Sequence, residues 1–164
     1  MEYRLATKKD INNICRLIQE AVGEMLLHGI DQWDELYPTK EDFLKDIEEN
    51  SLYLAIKDEQ IAALYVISKE EDEAYRYAQW ASKDETAFVL HRFCVSTEFQ
   101  NKGIGREVLH YIENQVLDMG YQSIRLDVFS ENPFAQKLYR KNGYVTRGSA
   151  EWRKGRFDLM EKIL

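Results

Sequence analysis

Gln100-Asn101-Lys102-Gly103-Ile104-Gly105-Arg106 is the stretch that decides how this chain folds. Just upstream, Ala87 to Val95 reads as a β-strand. Downstream, Gly103 to Met119 reads as a helix, with Ile104, Val108, Ile112 and Val116 at successive i+4 steps and Gly120 as its stop. Two glycines at such a strand-to-helix turn make an anion-binding arrangement. Glycine lets the backbone approach a ligand closely, the first N–H groups of a helix lack internal partners, and the helix dipole adds partial positive charge. Lys102 and Arg106 add cationic side chains. A Walker loop would need Gly-Lys-Ser/Thr where the chain has Gly105-Arg106-Glu107. A dinucleotide fingerprint would need a third glycine or alanine where the chain has Val108, so both nucleotide readings fail.

Working outward, Glu2 to Ala6 reads as a short strand, with Thr7 and Asp10 as caps before a helix. Ile11, Ile14, Ile18, Val22 and Met25 give that helix its apolar stripe, beside which Cys15 reads as core packing. Gly29 to Pro38 breaks the pattern and carries Trp33 and Tyr37. Thr39 with Asp42 opens a second helix, to about Asn50. Ser51–Lys57 and Gln60–Ser68 are strand-like and flank Asp58-Glu59, a hairpin-sized gap without glycine. Lys69 to Glu85 reads as a loop or an exposed helix. A strand over Ser123–Phe129 follows, then a helix opened by Asn132-Pro133 and closed by Asn142-Gly143. Tyr144–Gly148 and Phe157–Leu164 read as closing strands. With two prolines, eight glycines and no linker, the expectation is a single mixed α/β domain over residues 1–164.

The net charge is −7, unevenly spread: residues 1–90 carry −10 and residues 91–164 carry +3. The longest apolar run, Ile61 to Ile67, is far short of the ~20 residues of a spanning helix, so no membrane partner is expected. The first ten residues show no secretory pattern. Cys15 and Cys94 form no C-x-x-C pair, and His28, His91 and His110 are scattered, so neither a disulfide framework nor a metal site is expected. Two free thiols fit a cytoplasmic location. Nucleic-acid binding through Lys137 to Arg156 has charge in its favour but no aromatic interleaving, and no nucleic-acid partner is expected. A homodimer is compatible with this composition.

The motif Gln-x-x-Gly-x-Gly at Gln100 to Gly105 resembles the pyrophosphate signature of the Gcn5-related N-acetyltransferase (GNAT) family, whose cofactor is acetyl-coenzyme A. A second hallmark matches: Asn132, Ala135, Leu138, Tyr139, Gly143 and Tyr144 stand where the family has Asn-x-x-Ala-x-x-Leu-Tyr-x-x-x-Gly-Phe/Tyr. The resemblance is strong from about Phe88 to Tyr144 and compatible in element order elsewhere. It implies a mixed, mostly antiparallel sheet of six to seven strands, flanked by about four helices and splayed between the fourth and fifth strands. It also implies direct transfer of an acetyl group, without an acyl-enzyme, to an amine. Backbone groups of Phe93, Cys94 and Val95 would pair with the pantetheine arm. Gln100, Asn101, Lys102, Gly103, Ile104, Gly105 and Arg106 would hold the pyrophosphate. Asn132 would hold an amide of the pantetheine arm, and Tyr139 would protonate the departing thiolate. Independently of the family, Asn132 and Tyr139 lie two helical turns apart, so both can face one groove.

The attacking amine must lose a proton. The fourth strand has no glutamate, and His91 is its only group with a useful pKa, so the base is His91 or an ordered water. The acceptor region falls in Gly29 to Pro38, where Trp33 and Tyr37 stand among Asp31, Asp34 and Glu35. Aromatics among acids suit a cationic amine, so the expected acceptor is a small cationic molecule. A protein or peptide amine is the alternative, and a non-catalytic coenzyme A-binding module the alternative of another class.

Overall fold

Seven strands (β1–β7) and four helices (α1–α4) make up the computed structural model, which describes residues 1–164. The chain forms two compact units, residues 1–67 with 92–108 and residues 68–91 with 109–164.

The first unit begins with β1 (Glu2–Leu5), which pairs antiparallel with β2 (Leu52–Lys57), itself antiparallel to β3 (Gln60–Ser68). The β2–β3 turn is Asp58-Glu59, with φ of 50° and 62°. Positive φ at both central residues is the hairpin geometry that matches strand twist, here adopted without glycine. Between β1 and β2 run α1 (Ile11–Leu27) and α2 (Lys40–Glu48). The Asp10 carboxylate accepts the Thr7 N–H at 2.8 Å and pairs with Arg4 at 2.9 Å, which fixes the entry to α1. The Thr39/Asp42 capping box opens α2 as the sequence predicts. Ile11, Ile14, Leu17, Ile18 and Ala21 of α1 pack with Phe43 and Ile47 of α2 on Leu52, Leu54, Leu64 and Val66. Each such aliphatic side chain contributes about 1.5–3 kcal/mol on burial.

In the second unit, β5 (Ser123–Phe129) pairs antiparallel with β7 (Gly155–Ile163), and β7 with β6 (Val145–Trp152). The β6–β7 hairpin is longer than the sequence reading, which stops at Gly148. A Cβ at Gly148 would lie 3.0 Å from the Ala78 Cβ, so glycine suits this close approach. α4 (Pro133–Lys141) is N-capped by Asn132, whose Oδ1 accepts the Ala135 N–H at 3.1 Å.

Of the two readings of this segment, residues 69–86 are a loop and not an exposed helix. They form two 3₁₀ turns, Glu73–Tyr77 and Asp84–Thr86, with Tyr75 buried against Val89, Ala150 and Leu159. The segment is fastened by charge. Arg125 of β5, fully buried, pairs through Nη1 with Glu71 and Asp84, each at 2.8 Å, and donates from Nη2 to the Ser82 carbonyl. Its guanidinium lies 4.7 Å from the Trp80 ring. Glu161 accepts the N–H groups of Ala81 and Ser82 and the Nε–H of Arg147. Burial pushes the Glu161 carboxyl up, but these hydrogen bonds outweigh it and hold it below its ordinary range.

The strand order is β1-β2-β3-β4-β5-β7-β6, with β4 (Ala87–Val95) parallel to β5 and the pairs above antiparallel. The β4–β5 ladder ends at Leu90↔Leu126, although β4 runs on to Val95 and β5 to Phe129. This is the mixed, mostly antiparallel architecture expected. No helix is long and apolar enough to cross a membrane.

Candidate functional site

The end of β4 and the turn after it, all within the first unit, carry the features that singled out this stretch. Ser96 donates its N–H to the Ala62 carbonyl at 2.9 Å, and Thr97–Phe99 form a 3₁₀ turn. The chain then turns through Asn101 (φ 59°) and Gly103 (φ 78°) into α3 (Ile104–Asp118). A Cβ at Gly103 would meet nothing within 4 Å, so the glycine serves its backbone conformation and leaves that face open. The first intrahelical bond of α3 runs from the Glu107 N–H to the Gly103 carbonyl at 3.1 Å. The N–H groups of Ile104, Gly105 and Arg106 therefore precede it and have no carbonyl one turn back. Arg106 is exposed at this end.

Two predicted binding residues spend their side chains inside the turn. Gln100 donates from Nε2 to the Val95 carbonyl at 3.1 Å, and Lys102 donates from Nζ to the Glu98 carbonyl at 2.7 Å. Both contacts brace the loop, so neither side-chain nitrogen is spare. Cys94 is buried in the α1–α2 core, and burial pushes its thiol up to about 12. It is a neutral packing group in the core.

Arg92, within β4, has a left-handed φ of 49°. Such a value is uncommon outside glycine and re-aims the side chain. Its Nη1 lies 3.0 Å from Oδ2 of Asp46 on α2, and its guanidinium lies 5.4 Å from the Tyr37 ring. Its Nε is buried without a hydrogen-bond partner. Burial pushes the Asp46 carboxyl up to about 6 although Arg92 pulls the other way. Sequence reading missed this pair. The available signal was a charged residue, Asp46, on the same helix face as Phe43 and Ile47. Trp33 is 8% exposed and belongs to the α1–α2 core, while Tyr37 is 41% exposed. The Asp34 carboxylate accepts the Leu36 N–H at 3.0 Å.

The second unit holds the remaining predicted residues. His91 has its Nε2 3.0 Å from the Glu70 carbonyl. A carbonyl only accepts, so the neutral ring is protonated there and Nδ1 carries the lone pair. Asn132 caps α4 as described, seven residues before Tyr139. Tyr139 is buried, with its ring edge-on to Tyr144 at 5.5 Å. The Tyr144 hydroxyl is buried without a partner, and burial with the nearby Glu113 carboxylate pushes it well above its ordinary range. Glu113 in turn pairs with Lys162 at 2.8 Å and His110 at 3.3 Å.

Residues 17–144 match the family model described as "Acetyltransferase (GNAT) family". The uncharacterised N-acetyltransferase YesJ of Bacillus subtilis is 27% identical over 146 residues, covering 88% of this chain and 81% of that relative. The S-(2-succino)cysteine N-acetyltransferase of the same organism is 24% identical over 164 residues, covering 98% of this chain and 93% of that relative. A crystal structure of a GNAT-family acetyltransferase from Streptococcus agalactiae superposes with a TM-score of 0.85 at 26% identity, covering 99% of this chain and 95% of that one.

Proposed function

The chain belongs to the acetyltransferase (GNAT) family, and from that membership we propose that it moves an acetyl group directly from acetyl-coenzyme A to the primary amine of a small molecule. One observation carries the reading. The β4–α3 turn leaves the N–H groups of Ile104, Gly105 and Arg106 without helical partners, beside an open Gly103 and a braced loop. A pyrophosphate supplies the acceptors that those donors lack. In the proposed reaction the backbone of Phe93 to Val95 orients the pantetheine arm.

The neutral amine attacks the thioester carbonyl carbon, the C–S bond breaks, and the amine's surplus proton goes to water or to His91. Tyr139 returns a proton to the thiolate of coenzyme A. A small acceptor is preferred over a peptide because one relative's named acceptor is a cysteine derivative. The acidic first half of the sequence adds the expectation that the acceptor's protonated amino group is what draws it in.

The test is release of free thiol from acetyl-coenzyme A across a panel of amino acids, polyamines, aminoglycosides and peptides. The expected result is amine-dependent release with a small molecule as the best acceptor. Release only with peptides would overturn the small-molecule assignment, and release with no amine would overturn the transferase reading.

A further inference from the structure

Arg92 is the residue of the first unit whose geometry is least explained by folding alone. It stands in the middle of a strand with φ of 49°, a conformation that a non-glycine residue adopts only where the surroundings enforce it. The reward for that strain is a guanidinium aimed at α2 and the α1–α2 connection. Asp46 takes its Nη1, with contacts of 3.2 Å to Oδ1 and 3.0 Å to Oδ2. Tyr37 covers one face of it. Its Nε–H, buried, has no acceptor. A guanidinium pairs with a carboxylate most strongly through two parallel N–H groups, and with Nη1 engaged by Asp46 the remaining fork is the Nε–Nη2 edge. The orphaned N–H is on that edge, and buried donors without partners are rare enough to call for an explanation.

The position of this edge matters. Arg92 immediately precedes Phe93, and successive strand residues are only about 3.3 Å apart. A carboxylate held by Arg92 would bind the acceptor within one arginine side chain's length of the backbone assigned to the pantetheine arm. Three of the aromatic and acidic side chains of the α1–α2 connection are already engaged. The Tyr37 ring already faces the guanidinium, Trp33 is in the core, and the Asp34 carboxylate holds its own turn.

Building on the proposed acetyl transfer, we propose that Arg92 anchors a carboxylate of the acceptor, so that the amines acetylated here are those of amino acids or amino-acid conjugates. Asp46 positions the guanidinium by holding Nη1. Tyr37, 41% exposed, is the side chain that gives way when the acceptor docks.

The test compares matched acceptors: each amino acid of the panel against its decarboxylated amine and its amide, with spermidine and putrescine as cationic probes. Thiol release is measured for the wild type and for Arg92→Lys, and acetyl-coenzyme A binding is measured in parallel by calorimetry. Lysine keeps the charge beside Asp46 but lacks the two-pronged fork. The expected result is at least tenfold higher kcat/KM for the amino acid than for its decarboxylated partner. Arg92→Lys should erase most of that ratio through KM, with cofactor affinity unchanged. Preference for the polyamines, no turnover of any carboxylate-bearing amine, or a ratio unchanged in Arg92→Lys would overturn the proposal while leaving acetyl transfer intact. Failure to bind acetyl-coenzyme A would instead overturn the transfer reading on which it rests. Should Arg92→Lys not fold, Tyr37→Ala provides a second readout: it should alter KM for the amino acid more than for its decarboxylated partner, and equal effects on both would count against the proposal.

Discussion

The Gln100 side chain is tied back to Val95, with its Nε2 3.1 Å from the Val95 carbonyl. This bond spans the 3₁₀ turn and fixes where the chain enters α3. Gln100→Ala removes one hydrogen bond, worth about 0.5–1.5 kcal/mol, from the brace and none from the helix. Coenzyme A affinity should fall roughly 2- to 10-fold in calorimetry with the far-ultraviolet circular dichroism spectrum unchanged. Unchanged affinity would mean that the brace does not shape the anion site.

Gly103→Ala tests the backbone of the same turn. The added methyl meets no atom within 4 Å, so its cost is the left-handed φ of 78°, about 1–2 kcal/mol. For a chain of this length that lowers Tm by roughly 2–8 °C. Coenzyme A binding should weaken as well, because the open face of the turn gains a methyl group. A fall in Tm with intact affinity would separate the turn's folding role from binding.

Much of this turn is legible in the sequence because it is local. Glycines at a strand-to-helix junction, the i+4 apolar steps of α3 and the Asn132-Pro133 helix start are all short-range signals, and each corresponds to the element expected. The fastening of residues 69–86 is not legible, because it joins distant positions. Arg125 reaches Glu71 across 54 residues and Asp84 across 41. The only hint is the alternation of β5, in which Ser123, Arg125 and Asp127 share one face opposite Ile124, Leu126 and Val128. The Arg92–Asp46 pair escaped for a similar reason, since it depends on a strand irregularity that no spacing encodes.

Arg125→Met leaves Glu71 and Asp84 without their shared cation. Removing one partner of a buried ion pair typically costs about 3–5 kcal/mol, but Asp84 is largely exposed and Glu71 partly so, which places the expected loss at the lower end. Urea denaturation should show a lower midpoint. Limited proteolysis should show new cleavage within residues 69–86. A wild-type midpoint would mean that Trp80 and Tyr75 hold the segment without the ion pairs.

Asp46 and Asp10 make opposite contributions to stability as pH changes. The Asp46 carboxyl sits at about 6 in the fold, above its ordinary 3.8, so its contribution is fully present below pH 3.8 and is lost as pH rises through about 6. The Asp10 carboxyl, held at about 2 mainly by the hydrogen bond from Arg4, contributes above pH 3.8 and loses that contribution as pH falls toward 2. Between pH 7 and 5 only Asp46 changes appreciably of the two. The wild type should therefore gain stability relative to Asp46→Asn over that interval, measured by urea denaturation. Parallel pH profiles would show that Asp46 is not held above its ordinary range.

Tyr139→Phe removes the hydroxyl assigned to the leaving thiolate and keeps the ring that packs edge-on to Tyr144. Thiol release at saturating amine should fall about 10²- to 10⁴-fold, with acetyl-coenzyme A affinity near that of the wild type. Turnover within a factor of two would remove Tyr139 from the reaction.

The proposed hold of the β4–α3 turn on the pyrophosphate of acetyl-coenzyme A is decided by calorimetric titration of the purified protein with that cofactor. Saturable binding at one site per chain, weakened by Gly103→Ala, is the expected result. Absence of binding at millimolar acetyl-coenzyme A, with the protein folded, would contradict it.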